Sequence, residues 1–237
     1  MPEYINLRNH QVYNYEWDHD GEAVVLLHGG LSKTCAWDYL MVPPLEDDFH
    51  VFAYDRTAHG FTGDQPGSLH FEFQAQEAIA YLEDVVKEPA HLIGWSDGGI
   101  IAMSIAITRP ELVKSLVLIG ANYHHSATVI EIPFAEPNDE DKAEYAITSP
   151  DAPHTLVEKI KKMLHIWESE PDISLVDLAK IQCPTLVIAG DDDVISHEHT
   201  LSMYRAIELS QLAIMPGTSH IAPKEKPALF SALVHQF

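Results

Sequence analysis

The sequence has little cysteine and no long apolar run, and both shortages limit the kind of protein it can encode. Only Cys35 and Cys183 occur among 237 residues, so a disulfide framework is not expected and a reducing compartment fits. No stretch approaches the roughly 20 consecutive apolar residues of a membrane-spanning helix. The first residues carry neither a basic segment nor the apolar run of a secretory signal. We therefore expect a cytoplasmic protein without a membrane partner.

Basic residues are also scarce. Fourteen lysines and arginines stand against 36 aspartates and glutamates, which gives a formal net charge of −22. Such a surface repels the phosphates of nucleic acids, so we expect no nucleic-acid partner. Two interpretations of the acidic excess stay open. It can be a solubilising coat, or its field can help to steer a cationic substrate over about a Debye length.

Motifs for metals and organic cofactors are absent as well. The stretch Gly30–Thr34 resembles half of a phosphate-binding loop, but no glycine precedes Lys33 as that motif demands. The sequence His-Glu-His at 197–199 lacks the HExxH spacing of a zinc site. No GxGxxG dinucleotide signature occurs. We expect no metal and no cofactor, and nothing in the sequence indicates an oligomeric state.

Apolar runs without alternation dominate the pattern of the chain. Such runs are typical of strands covered on both faces, as in parallel sheets. They occupy residues 23–29, 50–54, 91–95, 115–119, 185–189 and 211–215. The alternating segments Glu3–Leu7 and Gln11–Trp17 predict an antiparallel hairpin at one edge. The pattern therefore predicts an α/β core formed by residues 1–121 and 179–237, with helices on both faces of the sheet.

The segment 122–178 interrupts this rhythm and contains no strand run. Its apolar side chains at Leu156, Ile160, Met163 and Trp167 follow helical spacing, while Lys159, Lys161 and Lys162 are expected on other faces. Open α/β sheets bind ligands beyond the carboxyl ends of their strands, where this insertion emerges. We expect residues 122–178 to form a short helical cap over such a site.

A glycine-rich turn between a strand and a helix carries the predicted nucleophile. Residues 94–99 read GWSDGG, and a sharp strand-to-helix turn of this type projects Ser96 beyond the sheet edge. Acyl transfer also needs two N–H groups aimed at the developing oxyanion. The HGG stretch that ends at Gly30 follows the first core strand. The amides of Gly30 and Asp97 are therefore the predicted oxyanion donors.

The acid and base of a catalytic triad follow the last two strands. Residues 190–193 read GDDD, and the pattern G-x-x-D selects Asp193 as the acid, with Asp192 as the alternative. His220 ends the stretch GTSH and is the predicted base. A carboxylate is needed to hold the base in one tautomer and to stabilise the imidazolium. The chain order Ser, Asp, His is that of α/β-hydrolases.

The motifs together resemble the α/β-hydrolase superfamily from end to end. HGG, DRTAHG at Asp55–Gly60, GWSDGG, GDDD and GTSH occur in family order. The resemblance implies the α/β-hydrolase fold, with an eight-stranded, mostly parallel sheet and Ser96, Asp193 and His220 as triad. The elbow is similar to that of valacyclovirase-like hydrolases, which cleave α-amino acid esters and use the acid after the serine to bind the ammonium group. Ala58 departs from the glycine common in the DRTAHG region.

These observations predict a serine hydrolase that cleaves a small carboxylic ester or lactone through an acyl-serine intermediate. Its partner is then a small ester-like molecule. Asp97, Trp95, Leu31 and His124 are expected to bind it. Three alternatives stay open: a cofactor-free lyase, a C–C bond hydrolase on the same fold, and a non-catalytic ligand receptor.

Overall fold

One mixed sheet of eight strands forms the centre of the protein. The computed structural model describes residues 2–129 and 133–237. The strands are β1 (Glu3–Leu7), β2 (His10–Trp17), β3 (Glu22–Leu27), β4 (Phe49–Asp55), β5 (Ala90–Trp95), β6 (Val113–Ile119), β7 (Thr185–Gly190) and β8 (Ser210–Met215). Their spatial order is β1-β2-β4-β3-β5-β6-β7-β8. All the predicted strand runs lie in this sheet.

Only β2 runs against its neighbours. It pairs antiparallel with both β1 and β4, and every other pair of strands is parallel. The hairpin between β1 and β2 turns at Arg8 and Asn9, whose φ angles are 45° and 77°. A two-residue turn with positive φ at both positions matches the twist of paired strands. The predicted mostly parallel, eight-stranded sheet is confirmed.

Helices connect the strands and cover both faces. They are α1 (Asp38–Met41), α2 (Phe71–Tyr81), α3 (Asp97–Thr108), α4 (Asp139–Thr148), α5 (Thr155–Trp167), α6 (Leu175–Leu178), α7 (His197–Ala206), α8 (Ala222–Glu225) and α9 (Pro227–Gln236). α2 continues into a wider π-helical turn at Leu82–Val86. No helix in the described ranges is long and apolar enough to cross a membrane.

The two faces of the sheet bury two separate apolar layers. Successive side chains of a strand point to opposite faces, and in β3 Val25 and Leu27 enter one layer while Val24 and Leu26 enter the other. The first layer includes α2 and α3, and the second includes Phe230 of α9. This double coverage explains why the strands are apolar without alternation. Because β3 to β8 run parallel, their carboxyl ends lie at one edge of the sheet.

The helices α4, α5 and α6 lie between β6 and β7, in the segment predicted to form a cap. Of the four apolar positions predicted for α5, Met163 is buried and Leu156, Ile160 and Trp167 are half-buried, and Ile166 is buried as well. Lys159 was expected away from the apolar face, but its side chain is only 5% exposed and its Nζ lies 3.1 Å from Asp151 Oδ2. The nearby carboxylate compensates for the burial of the ammonium group. The boundaries 122–178 of the cap stay a prediction.

Candidate active site

Ser96 occupies a tight turn between β5 and α3. Its φ is 54°, in the left-handed region, and the turn leaves no room beside it. A Cβ at Gly94 would lie 2.4 Å from the carbonyl carbon of Gly98, and one at Gly98 would lie 1.9 Å from the oxygen of Leu27. Both positions therefore require glycine. The turn places Ser96 at the carboxyl edge of the sheet, where its side chain lines a cavity.

The predicted base and acid lie beside Ser96 in one hydrogen-bonded chain. His220 Nε2 is 3.0 Å from Ser96 Oγ, and His220 Nδ1 is 2.8 Å from Asp193 Oδ1. Asp193 Oδ1 also accepts a hydrogen bond of 3.1 Å from the amide of Ile195. Burial opposes ionisation of Asp193, but the hydrogen bond and charge of His220 outweigh it and lower the pKa of this carboxyl. The arrangement suits a proton transfer from the serine to the imidazole.

The two neighbouring aspartates are placed differently. Asp191 Oδ1 accepts a 3.0 Å hydrogen bond from the amide of Thr218, and amide donors lower the pKa of this carboxyl. The Asp192 side chain is exposed and makes no hydrogen bond to the described residues, although its amide donates to the Thr218 oxygen. Asp193 alone of the three contacts His220. Asp191 instead fixes the turn that carries the histidine.

Gly120, at the end of β6, allows this close approach and was not singled out in the sequence. Its φ is 54°, and a Cβ there would lie 2.9 Å from His220 Nδ1 and 3.2 Å from Asp193 Oδ2. Any side chain would enter the space between the acid and the base. The sequence signal is a glycine directly after a buried strand, at the same edge as the other motifs.

Gly30 and Asp97, whose amides are the predicted oxyanion donors, lie near Ser96, and their role stays a prediction. Both residues line the same cavity as Ser96. Within the described part of the chain, neither amide donates a hydrogen bond to protein. Asp97 is the first residue of α3, where unpaired N–H groups carry partial positive charge. A Cβ at Gly30 would lie 2.2 Å from Asp97 Oδ2, so a side chain there would displace the Asp97 carboxylate.

Four side chains were expected to bind substrate, and the structure places two of them at the cavity. Asp97 and Trp95 line it, and Trp95 Nε1 also donates a 3.0 Å hydrogen bond to the backbone oxygen of His220. Leu31 and His124 do not line it. His124 Nε2 lies 3.4 Å from Asp172 Oδ1 instead. His125, the next residue, lines the cavity, as do His165 and His220.

The carboxylate of Asp97 is almost enclosed. Its residue is 3% exposed, and Oδ2 accepts a 3.2 Å hydrogen bond from Nε1 of Trp167, the last residue of α5. Burial raises the pKa of Asp97 to about 6, although the charge of Arg56 and the bond from Trp167 oppose this rise. Arg56 is fully buried and donates to Gln74 Oε1 at 2.8 Å and to the Gly29 oxygen at 3.2 Å. Neither Arg56 nor Trp167 was identified from the sequence.

The cavity has a volume of about 1110 Å³ and lies between the sheet edge and α5. Its apolar lining includes Ile100, Phe134, Leu164, Trp167, Val194 and Ile195. Pockets of this size hold drug-sized molecules and use a few polar groups to orient them. In the described ranges, the one cluster with metal-ligand spacing is Glu16, Asp18 and His50, which is remote from this lining.

Comparison with known proteins places the chain among hydrolases. The model of the alpha/beta hydrolase family matches residues 24–233. The chain is 24% identical over 248 residues to (E)-2-((N-methylformamido)methylene)succinate hydrolase of Acinetobacter baylyi, covering 94% of this chain and 92% of the relative. It is 25% identical over 242 residues to serine hydrolase BPHL of Mus musculus, covering 94% and 82%. The predicted resemblance is confirmed.

Solved structures agree on the fold. A serine hydrolase involved in carbazole degradation, the CarC enzyme, matches with a TM-score of 0.81 at 19% identity. The match covers 100% of this chain and 97% of that one. At this identity the likeness shows the fold alone, since one fold hosts many reactions.

Proposed function

The chain belongs to the alpha/beta hydrolase family and is a hydrolase, and from this premise we propose that it cleaves a small carboxylic ester through an acyl-serine intermediate. The observation that carries the proposal is the chain of contacts from Asp193 through His220 to Ser96, at 2.8 and 3.0 Å. These distances are those of a nucleophile, its base and the group that orients the base. All three side chains meet at the edge of a cavity that fits a small molecule.

The first half of the reaction forms the acyl-enzyme. His220 Nε2 accepts the hydroxyl proton of Ser96 while Oγ attacks the carbonyl carbon of the ester. Asp193 holds the other ring nitrogen, which fixes the tautomer and stabilises the imidazolium. The carbonyl oxygen becomes an oxyanion that the amides of Gly30 and Asp97 receive. Collapse of the tetrahedral intermediate breaks the bond to the alcohol, which leaves with the proton of His220.

The second half repeats these roles with water. His220 removes a proton from water, and the resulting oxygen nucleophile attacks the acyl carbon. The bond to Ser96 Oγ breaks, and the serine regains its proton from His220. A carboxylic acid is released and the enzyme returns to its starting state. No group beyond the side chains and amides named here enters these steps.

The acyl-enzyme itself provides the direct test. Rapid quenching with a p-nitrophenyl ester, followed by mass spectrometry of the peptide that contains Ser96, should detect the added acyl group. A lyase that uses His220 as base, or a receptor that only binds, would leave the peptide unmodified. A screen of p-nitrophenyl esters, amino acid esters and lactones then identifies the substrate class.

Asp97 is proposed to select the charge of the acyl group. Asp97 lines the cavity beside Ser96, and Oδ2 is the one carboxylate oxygen with a hydrogen-bond partner among the described residues. At an effective dielectric near 20, two charges about 4 Å apart interact by roughly 4 kcal/mol before desolvation is counted. A negative charge at this wall of the cavity favours a neutral or cationic acyl group over an anionic one. A purely structural role, pairing with Trp167 near Arg56, is the competing interpretation.

Asp97→Asn separates these roles. We expect kcat/KM for an amino acid ester, relative to its uncharged isostere, to fall at least tenfold, because the variant loses the charge and keeps the shape. Glu168→Gln is the matched control, since Glu168 also lines the cavity but is exposed and lies 3.0 Å from His165. An unchanged ratio in Asp97→Asn makes the carboxylate structural.

The same selectivity should depend on pH. A carboxyl with a pKa of about 6 is ionised above pH 6 and neutral below it. The preference for the cationic ester is therefore present just above pH 6 and disappears as the pH falls below it. Measuring the ratio of kcat/KM for the charged ester and its isostere from pH 4.5 to pH 7, where the α-ammonium group stays largely protonated, cancels effects common to both. Asp97→Asn should give a flat ratio over this range.

A further inference from the structure

A second cavity of about 330 Å³ lies beside the catalytic one. It is a groove between α2, α3 and the segment 170–173, which we call the strap. Three residues line both cavities: Ile100, Glu170 and Pro171. A residue that borders two cavities forms the wall between them. Only this thin wall separates the groove from the space around Ser96.

One face of α3 leads from the catalytic cavity into the groove. Asp97 and Ile100 line the catalytic cavity, and Ile100, Ser104 and Thr108 line the groove. Spacings of three and four residues place side chains on the same side of a helix. Both cavities therefore lie along a single helix surface, with Ile100 in the wall that they share.

The strap is attached on both sides. Glu170 accepts hydrogen bonds from the Phe71 amide at 3.0 Å and faces His70 Nδ1 at 2.6 Å, which ties it to the start of α2. On the other side, the oxygen of Pro171 accepts a 2.7 Å hydrogen bond from the amide of His125. The strap thus closes the groove at the end nearer Ser96. Farther from Ser96, the groove runs between α2 and α3.

The groove has an apolar floor and a polar rim. Phe71, Ala75, Ile100 and Pro171 are its buried residues. The exposed residues are Glu72, Gln76, Thr108 and Asp172. A buried apolar strip removes hydrocarbon from water, while a polar rim stays hydrated. This combination suits an unbranched aliphatic chain that lies along the floor.

We propose that the two cavities join into one substrate channel when the substrate binds, so that an unbranched aliphatic chain attached to the ester passes Ile100 and lies in the groove. This inference rests on the proposed function, because the scissile bond must lie at Ser96. Ser104 is eight residues beyond Ser96, or about 12 Å along the helix at about 1.5 Å per residue. With carbon–carbon bonds of about 1.5 Å in a staggered chain, about ten carbons span that distance.

The test measures how kcat/KM depends on chain length. Two series are needed, p-nitrophenyl esters from acetate to dodecanoate and acetate esters of alcohols from methyl to decyl, all below their micellar concentrations. In one series we expect kcat/KM to rise by up to about fourfold for each methylene that enters the groove. The series that responds identifies the half of the substrate that carries the chain.

Ser104→Phe fills the groove at a distance from the catalytic groups. We expect it to lower kcat/KM for the decanoyl or decyl ester at least tenfold and to leave the acetyl or methyl ester within twofold of wild type. Gln76→Phe fills the groove from the exposed side of α2 and should act in the same way, which covers the case in which Ser104→Phe does not fold. Glu88→Phe is the control, since Glu88 is exposed and outside the groove lining.

Two results would overturn the channel. One is a flat length dependence in both series for the wild type. The other is an equal loss for short and long esters in both filled variants. Failure of the proposed function looks different, because the short ester would then be turned over without modification of Ser96 or not at all.

Discussion

Ser96→Ala is expected to lower kcat/KM for ester hydrolysis by about 10⁴-fold or more, without loss of the fold. The serine oxygen is the atom proposed to attack the substrate. Removal of one triad member removes nearly all the benefit of the other two, because the three act as a unit. The measurement is steady-state hydrolysis of the best ester from the screen, with circular dichroism and Tm to verify the fold.

Ser126→Ala gives the matched control for that experiment. Ser126 is exposed, and its hydroxyl contacts His124 rather than the triad. Its replacement should leave hydrolysis within twofold of wild type. Activity within tenfold of wild type in Ser96→Ala would reject the nucleophile and favour a reaction in which His220 acts alone as base. Wild-type protein that binds esters without turnover would favour the receptor.

The sequence was sufficient to place the motifs at one edge of the sheet. GWSDGG and GDDD stand at the ends of buried strands and GTSH follows the edge strand β8, and parallel strands end at the same edge. Ser96, Asp193 and His220 therefore had to approach one another once the strands were assigned. The resemblance to a family supplied the number of strands, whereas the break in the strand pattern at 122–178 predicted the cap. The left-handed φ of 69° at Ala58 explains why glycine is common at that position in relatives.

The contacts made by the insertion were not predictable in the same way. Trp167 meets Asp97 across 70 positions of sequence, and helical spacing indicates which face of α5 is apolar but not where that face docks. Lys159 is buried because Asp151, in the preceding loop, pairs with it, and such a pair has no periodic signal. Whether His124 or His125 lines the cavity depends on the local turn at these residues. Arg56 belongs to the DRTAHG motif, but the motif did not predict that its guanidinium would be buried near Asp97.

Asp193→Asn is expected to lower kcat by about 10⁴-fold, whereas Asp192→Asn should stay within a few-fold of wild type. Asparagine keeps the size of the side chain but lacks the charge that stabilises the imidazolium, and its amide favours the wrong tautomer of His220. Asp192 is exposed and does not contact His220. The two variants change neighbouring residues in the same way, so the difference between them isolates the contact with the histidine.

Asp191→Asn completes the series and tests the other role that the structure assigns in this turn. Its Oδ1 accepts a hydrogen bond from the Thr218 amide, and the carbonyl oxygen of asparagine can accept the same bond. We therefore expect kcat close to that of wild type, with at most a small decrease in Tm. Asp193→Asn should instead keep Tm near the wild-type value while kcat falls, because the lost charge acts on the imidazolium of the transition state. If Asp192→Asn proved the most damaging of the three, the acid would lie one position earlier in the chain. The loop would then have to rearrange when substrate binds, since only Asp193 lies 2.8 Å from the imidazole here.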